Sequence, residues 1–570
     1  MLPPYSPTLK ALYCKGPDHM SPGFPPITKT VQWAILTAVA AFFTIALILL
    51  PYPGLQNDEC LFVQPLYGPV APADKIHLFR HDLVLMLMSY LGTAKTLIYL
   101  PVFKFFAPSV WSIRLPGLFT GAATIWMFGL LLFRMAGPFA AIAGSFLLAL
   151  DPSYVLTTVF DWGPVAIQHC ALVAGVLALH YFHDSGSKRM LSAGFFSFGF
   201  GMWDKALFSW MLAGLVVASL IFLSPQIRRH LTPGNAVVVL AAFLAGAAPL
   251  IIYNVRNNLE TFRGNAKMNA AEIWPKTVSM PHTLDGSGLF GYLVHEEWDD
   301  SPRAPQNAIE RFSTAVRRIA GIRRQGWLPQ ALLAVLFCFP FWRRRWMPWA
   351  FALVVGVVAW LLMAATSGAG GSVHHVVLLW PVPQFLVAFG VAVAIENRRT
   401  WWRWGAALLI GLVCAQNVLV TNQYLYNLQR WGAGSSWTDA IFPLSEALGR
   451  IHPEHVNLMD WGFEFNLMAL SQGVSHGVSQ EKTDIRWGAE PGEHLKANEN
   501  DQRLLGVFLE SADQSVWVKH VEPIEVTPGS EKRFTERAFE RGYEKKRLEL
   551  VPDRNGREMF EIYRFVKVKP

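Results

Sequence analysis

The chain enters its apolar part with residues 31–50, VQWAILTAVAAFFTIALILL, and continues with PYPGLQNDE at 51–59. A run of about twenty apolar residues is what a helix needs to cross a bilayer. The run ends in Leu-Leu-Pro-Tyr-Pro without a small-residue cleavage site, so we interpret it as an anchor and not as a removed signal peptide. Two acids, Asp58 and Glu59, then follow where the chain leaves the membrane.

The composition favours a membrane protein. Of 570 residues, 52% are hydrophobic and 16% are charged, whereas soluble domains carry about 25% charged residues. Residues 425–570 hold 19 Lys and Arg and 23 Asp and Glu, so a large share of the charge lies in the tail. The tail therefore reads as a soluble domain. The net charge of +8 is not a nucleic-acid signature, and we expect no nucleic-acid partner.

About eleven segments are apolar enough to be spans. They are 31–50, 115–134, 138–158, 164–183, 190–203, 206–224, 234–253, 328–342, 347–365, 374–394 and 402–421. Segment 95–107 would span only about 20 Å as a helix, and Pro101 and Lys104 interrupt it. We interpret this segment as an interfacial helix, and 82–91 as another.

Basic residues test this count, because short cytoplasmic loops are enriched in Lys and Arg. With the N-terminus inside, cytoplasmic loops hold Arg134, Arg228, Arg229 and Arg343–Arg345, among others. The opposite short loops 159–163 and 366–373 hold no Lys or Arg. The pattern predicts a multi-pass protein of the plasma (inner) membrane, with an extracytoplasmic C-terminal domain.

The predicted fold is an α-helical polytopic membrane protein with a small C-terminal α/β domain. Residues 1–30 form a cytoplasmic Pro-rich tail, 31–424 the membrane domain with external loops 51–114 and 254–327, and 425–570 the extracytoplasmic domain. In that last domain we expect strands at 454–461 and 503–510, a helix at 531–541, and a hairpin that joins 544–551 to 557–566.

Three acids are candidates for catalysis, each with a simpler alternative. Asp58 and Glu59 would supply a general base or a metal ligand in a cavity at the membrane surface, or they are solvated loop residues. Asp161 heads the fourth span from outside. A carboxylate there would line the same cavity, or only cap the helix.

Three cations are candidates for a lipid phosphate. Lys95 opens the interfacial stretch, where it would hold a phosphate or only snorkel. Lys205 lies beside Asp204 between two apolar helices, so it is either functional or part of a local ion pair. Arg318 belongs to an amphipathic stretch near 309–324, which rests on the membrane face or also contacts an anionic head group.

These positions occur in a recognisable order. Asn57-Asp58-Glu59 follows the first helix, Lys95-Thr96-Leu97 heads the amphipathic segment, and Ser112-Ile113-Arg114-Leu115-Pro116 opens the second span. Asp161 and Trp203-Asp204-Lys205 complete the set. The chain resembles the GT-C glycosyltransferases that use polyprenyl-phosphate sugars, among them the protein O-mannosyltransferases and the lipid A aminoarabinose transferases. It departs from them where Cys60-Leu61-Phe62 follows Asp-Glu and where Thr96 follows the lysine.

The resemblance implies a role for each residue. Asp58 matches the catalytic acid, Glu59 its neighbour, and Asp161 an acid of the cavity. Lys95 matches the lysine that contacts the carrier phosphate, and Lys205 matches a lysine near the outer end of the sixth span. Apart from the resemblance, negative charge that develops on the leaving phosphate would be stabilised by a nearby cation, so an arginine of the 311–324 stretch, Arg318, is a third candidate for contact with the phosphate.

The implied reaction moves a sugar from a polyprenyl-phosphate donor to a lipid, glycan or protein acceptor on the extracytoplasmic face, among membrane lipids. No cofactor is certain, although a divalent metal held by the three acids is a candidate. The competing functions are a transporter, which predicts internal repeats and polar midplane residues, and a non-catalytic assembly protein. No repeat is evident, and the polar candidates lie at the outer ends of spans, which favours the enzyme.

Overall fold

The computed structural model describes most of the chain. The described residues are 27–67, 73–78, 81–295, 302–337, 345–396, 398–473, 484–487, 508–509 and 511–568. Most of the predicted N-terminal tail, residues 1–26, lies outside them.

The first half of the chain is helical apart from one small sheet. Its helices are α1 (Lys29–Leu49), α2 (Asn57–Leu61), α3 (Ala94–Phe103), α4 (Val110–Ala149), α5 (Pro152–Val159), α6 (Val165–Ser185), α7 (Lys188–Asp204), α8 (Ser209–Phe222), α9 (Ser224–His230) and α10 (Pro233–Arg256). Its strands are β1 (Asp74–Leu78), β2 (His81–Met88) and β3 (Leu91–Gly92), antiparallel in the order β1-β2-β3.

The second half contains the remaining membrane helices and the tail domain. The helices are α11 (Glu260–Asn265), α12 (Ile273–Leu284), α13 (Ala308–Ala320), α14 (Leu328–Phe337), α15 (Trp346–Ala365), α16 (Val373–Val376), α17 (Val382–Ile395), α18 (Thr400–Arg430), α19 (Ile441–Ile451), α20 (Glu464–Gly473) and α21 (Ser530–Glu540). The strands are β4 (His455–Leu458), β5 (Asp484–Trp487), β6 (Ser515–His520), β7 (Tyr543–Pro552) and β8 (Glu558–Lys567).

Seven of the described helices are long and apolar enough to cross a membrane: α1, α4, α6, α10, α15, the segment Val373–Ile395 and α18. The segment Ala206–Phe222 and α9 would add an eighth, although they are bent by 94°. The other predicted segments also coincide with helices, but α7 has 17 residues and α14 has 10. The chain is therefore a multi-pass membrane protein, and the number of eleven spans stays a prediction.

Helix α4 consists of two arms that fold back on each other. Gly137 interrupts its 40 residues with a φ of 82°, a conformation that favours glycine. A Cβ added to Gly129 would lie 2.6 Å from the Oγ of Ser145. Since these residues lie on either side of Gly137, the two arms are antiparallel and correspond to the separate predicted segments 115–134 and 138–158.

The first external loop contains a sheet where a helix was expected. Residues 82–91 were predicted to form an interfacial helix, and this is wrong, because β2 pairs with β1 and with β3. The predicted interfacial helix at 95–107 is present as α3. A short apolar run does not by itself distinguish a helix from a strand. Here the segment forms a strand because it pairs with the strands on either side of it.

The tail folds as the predicted small α/β domain, around a sheet in the order β5-β4-β6-β8-β7. Strand β4 runs parallel to β5 and β6, while β8 runs antiparallel to β6 and β7. The predicted helix 531–541 and the hairpin are present as α21 and β7-β8. The strand expected at 503–510 is wrong where it can be judged, because 508–509 are helical and the fully buried central strand is β6.

The tail domain is docked on the first external loop through α20 and α2. The backbone N–H of Phe465 donates to Oδ1 of Asn57 at 2.9 Å, and Nδ2 of Asn466 donates to the carbonyl of Leu55 at 2.7 Å. Ala469 of α20 is buried in the same apolar cluster as Leu55 and the residues that follow α2. The loop and the tail therefore share one packed core, and the tail is a structural neighbour of Asp58.

A buried arginine fixes the other side of the same loop. The guanidinium of Arg114 donates from Nε and Nη2 to the two carboxylate oxygens of Glu59, at 2.9 and 2.8 Å. It also donates to the carbonyls of Leu50, Pro53 and Gly54 at 2.6, 3.1 and 2.6 Å. Both side chains of the ion pair are almost fully buried. The start of α4 thus holds the end of α1 and the whole turn into α2.

We expect Arg114→Met to lower the free energy of unfolding by about 3–5 kcal/mol, because it leaves the carboxylate of Glu59 buried without a partner. Adding Glu59→Gln should recover part of that loss, since the unpaired charge is removed. The measurement is unfolding of the purified chain in detergent. The control is Arg134→Met, which breaks the more exposed pair with Asp184. Equal losses for the two single variants would contradict a special role for Arg114.

Candidate active site at the outer ends of the membrane helices

Helix α2 turns the two adjacent acids in different directions. It begins with a capping box, in which the side chain of Gln56 accepts from the backbone N–H of Glu59 at 3.3 Å, and the carboxylate of Glu59 accepts from the N–H of Gln56 at 3.1 Å. Glu59 then points into the core toward Arg114. Asp58 stays half-buried, and the amide of Asn57 donates to it at 3.4 Å. Of the two predicted acids, Asp58 is therefore the one with an accessible carboxylate.

Asp58 lies in an environment that opposes its charge. Burial raises the pKa of Asp58, while the hydrogen bond from Asn57 and the positive charge of Lys205 act in the opposite direction. Burial and the negative charge of Asp58 together raise the pKa of Tyr292 to about 12. The charge of Lys205 therefore acts on Asp58, and the charge of Asp58 acts on Tyr292. The three residues come from distant parts of the chain. A carboxylate with a raised pKa is a better proton acceptor than an ordinary aspartate.

Lys95 is buried at the start of α3 and is held by Asp161. Its Nζ lies 3.0 Å from Oδ2 of Asp161 and also donates to the backbone carbonyl of that residue. The ring centroid of Phe62 lies 4.8 Å from the same nitrogen. The other carboxylate oxygen of Asp161 accepts from the N–H of Val165 at 2.7 Å, at the start of α6. Asp161 therefore caps its helix and also pairs with Lys95.

Lys205 is buried at the junction that follows α7. Its Nζ donates to the carbonyl of Gly163 at 3.0 Å. The neighbouring Asp204 accepts from the amide of Gln168 at 2.8 Å, so each member of the predicted local pair has a different partner. A Cβ added to Gly163 would lie 2.8 Å from the ring of His374. The close approach of His374 therefore requires glycine at 163.

The ammonium groups of Lys95 and Lys205 bind the two ends of the short segment 161–163. Lys95 binds Asp161, Lys205 binds Gly163, and Trp162 lies between these residues. The segment joins α5 to α6 and is buried throughout. Two residues far apart in sequence are thus brought to one place, together with the loop that carries Asp58.

An aromatic cluster surrounds Trp162. Its ring centroid lies 5.2 Å from that of Trp437, 5.9 Å from Tyr292 and 5.4 Å from His374. Trp437 comes from the segment between α18 and α19, at the start of the tail domain, so the tail also contributes to this cluster. Sequence reasoning missed Trp162, Tyr292 and Trp437, although all three are aromatic residues in connections between helices. His374 packs against Trp162.

Arg318 lies elsewhere. It is exposed on α13, which packs along α18, where the amide of Asn422 donates to the carbonyl of Ser313 at 3.2 Å. This position suits a helix that rests on the membrane face, and it does not join Arg318 to the described contacts of Lys95 and Lys205.

The three predicted acids do not fit a shared metal site. Among the described residues, no group of three or more His, Cys, Asp or Glu side chains is arranged to hold a metal ion. Glu59 is occupied by Arg114, and Asp161 is occupied by Lys95 and its own helix.

The chain was compared with known proteins at the levels of sequence and structure. No family model and no curated protein sequence matches it. ArnT from Cupriavidus metallidurans matches in its apo state and in a structure bound to undecaprenyl phosphate. Each match has a TM-score of 0.52 and 13% identity, and covers 94% of this chain and 98% of that chain.

The arabinofuranosyltransferase AftD from Mycobacteria also matches, with a TM-score of 0.46 and 13% identity, over 94% of this chain and 40% of that chain. The likeness to ArnT extends over nearly the whole of both chains and includes the membrane helices and the tail. The chain therefore has the GT-C glycosyltransferase fold that its sequence resemblance predicted.

Proposed function

We propose that the chain is a membrane glycosyltransferase that moves a sugar from a polyprenyl-phosphate donor to an acceptor on the extracytoplasmic face. One observation carries the proposal: two buried lysines, Lys95 and Lys205, bind the ends of the segment 161–163, and the charge of Lys205 acts on Asp58. Two cations beside a partly exposed acid are the groups that transfer from a lipid phosphate requires.

The lysines would act on the leaving group. When the sugar leaves, negative charge develops on the carrier phosphate, and preorganised cations stabilise that charge in the transition state. Ammonium groups at this depth are costly without partners, and at present Asp161 and the carbonyl of Gly163 supply them. A carrier phosphate would take over this role, in line with the structural neighbour ArnT, which has been solved bound to undecaprenyl phosphate.

Binding of the phosphate requires the Lys95–Asp161 pair to open. The cavity beside this pair, lined by Tyr99, Gly117 and Ile167 among others, measures only about 10 Å³. That volume is roughly enough for one water molecule and too small for a phosphate. We infer that Asp161 neutralises the charge of Lys95 before the donor arrives. When the donor binds, its phosphate replaces Asp161 as the partner of Lys95.

Asp58 would act on the acceptor. A hydroxyl acceptor must lose a proton as the new glycosidic bond forms, and Asp58 is the accessible carboxylate of the site. If the acceptor is itself a phosphate, no proton needs to be removed, and Asp58 then orients it. Glu59 and Arg114 are positioning residues, because they act only through the placement of α2. The acceptor class is a lipid, a glycan or a protein.

The orientation belongs to the proposal as well. The basic residues of the short loops predict a cytoplasmic N-terminus, which places Asp58, Lys95 and the tail domain outside. A lipid-linked donor suits that side, since nucleotide sugars are not supplied there. The tail would then fix the catalytic loop through α20 and form part of the cavity wall through Trp437.

We expect Asp58→Asn to lower the rate of transfer to a hydroxyl acceptor by about 10²–10⁴-fold, the usual contribution of a general base. The purified chain is given a panel of polyprenyl-phosphate hexoses and pentoses, and the free polyprenyl phosphate released is measured. Asp82→Asn is the matched control, because Asp82 lies in the same loop but at its exposed surface, paired with Lys75. Full transfer by Asp58→Asn would exclude Asp58 as the base.

We expect Lys95→Met to weaken binding of polyprenyl phosphate by about 10–100-fold, because a hydrogen bond to a charged group contributes roughly 1.5–3 kcal/mol. The dissociation constant of undecaprenyl phosphate is measured for the purified variants. Lys104→Met removes an exposed lysine directly after the same helix and should bind like the unchanged chain. If both variants bind equally well, Lys95 does not hold the carrier phosphate.

A further inference from the structure

A second cavity lies away from the Lys95 site, at the start of α14. It measures about 650 Å³ and is lined by residues of α12, the segment 321–327, α14 and α18. Arg323 and Arg324 face it, together with His282 and the amides of Gln325 and Gln330. The described residues that line this cavity include no Asp or Glu.

One of the two arginines is held on a rigid aromatic support. The guanidinium carbon of Arg324 lies 4.6 Å from the ring centroid of Phe290. That ring stacks on Tyr424 of α18 with centroids 3.8 Å apart and an interplanar angle of 9°. The Nε of Arg323 donates to the carbonyl of Ala320 at 2.8 Å, which fixes the base of its side chain. Both guanidinium groups are thus preorganised beside the cavity and little rotamer freedom remains to be lost on binding.

The surroundings of the cavity are apolar where a bilayer would meet them. Ile322 is 58% exposed and Trp327 is 41% exposed at its rim. Leu333 and Phe337 of α14 continue the exposed apolar surface. Gln416 on the cavity wall lies about 24 Å along α18 from its first residue, near the far edge of a hydrocarbon layer about 30 Å thick. Fixed cations above an exposed apolar surface at that depth match the head group and acyl chains of a lipid.

The segment 286–294 lies between this cavity and the aromatic cluster around Trp162. The segment 286–294 is anchored by the hydroxyl of Tyr424, which donates to the carbonyl of Gly286 at 2.7 Å and accepts from the N–H of Leu289 at 3.1 Å. Phe290 faces the arginines, and Tyr292 faces Trp162. The two sites are neighbours that share no lining side chain among those named for each.

We propose that the cavity at Arg323 and Arg324 binds the phosphate head group of an anionic lipid of the leaflet that it faces. Arginine suits this role because its planar fork matches phosphate oxygens and stacks on an aromatic ring. The proposal does not depend on the glycosyltransferase assignment, since none of its residues belongs to the Lys95 and Asp58 site.

The test uses the full purified chain in detergent and native mass spectrometry with short-chain phosphatidylglycerol and phosphatidylcholine. The unchanged chain should bind phosphatidylglycerol in preference to phosphatidylcholine. The double variant Arg323→Gln/Arg324→Gln should bind phosphatidylglycerol about tenfold more weakly or worse, with phosphatidylcholine unaffected. The control Arg228→Gln/Arg229→Gln removes an adjacent, exposed arginine pair elsewhere and should leave phosphatidylglycerol binding unchanged.

Two further measurements separate lipid from free phosphate as the ligand, and the geometry of arginine from its charge as the cause of binding. Arg323→Lys/Arg324→Lys keeps the charge and should bind with intermediate strength, because the fork and the stacking on Phe290 are lost. Inorganic phosphate and glycerol phosphate should compete poorly, since they lack acyl chains. Equal binding by all variants would overturn the proposal, and so would competition by inorganic phosphate as effective as that by the lipid.

Discussion

Two buried ammonium groups, those of Lys95 and Lys205, constrain the outer half of the membrane domain. A charge at this depth is tolerated only where fixed polar partners surround it, and here the partners are the ends of the segment 161–163. Helix α3, the junction after α7 and the turn from α5 to α6 must therefore meet at one point. The small cavity lined by Lys95 and Asp161 lies at this meeting point, whereas the close approach of His374 is what requires glycine at 163.

The loop that carries Asp58 is fixed by a different pair of contacts. Arg114 binds Glu59 and the carbonyls that lead into α2, and Asn466 of the tail binds Leu55 from the other side. Asp58 lies between these two sets of contacts and takes part in neither of them. A loop that is fixed on both sides holds one partly exposed carboxylate where the charge of Lys205 acts on it, which is the preorganisation that acid–base chemistry benefits from. The tail domain thus gains a role close to the site although it contributes none of the charged candidates.

Much of this arrangement could be predicted from the sequence, because apolar runs, basic loops and isolated charges carry local signals. The membrane helices, the α/β tail, and Asp58, Lys95, Asp161 and Lys205 as groups of interest all came from such signals. Contacts between residues far apart in the chain could not be predicted from these local signals. Nothing in the residues alone indicates that Glu59 faces Arg114, that β2 replaces a helix at 82–91, or that Trp437 packs on Trp162. Arg318 was selected by its charge and by amphipathic spacing, which fix the face of a helix but not its distance from a site.

A structure of the chain with undecaprenyl phosphate bound tests the central claim most directly. The account predicts phosphate oxygens about 3 Å from both Lys95 and Lys205, with the carboxylate of Asp161 displaced from Lys95 and Asp58 facing the same cavity. A phosphate bound at Arg318, or anywhere that leaves the Lys95–Asp161 pair intact, would contradict it.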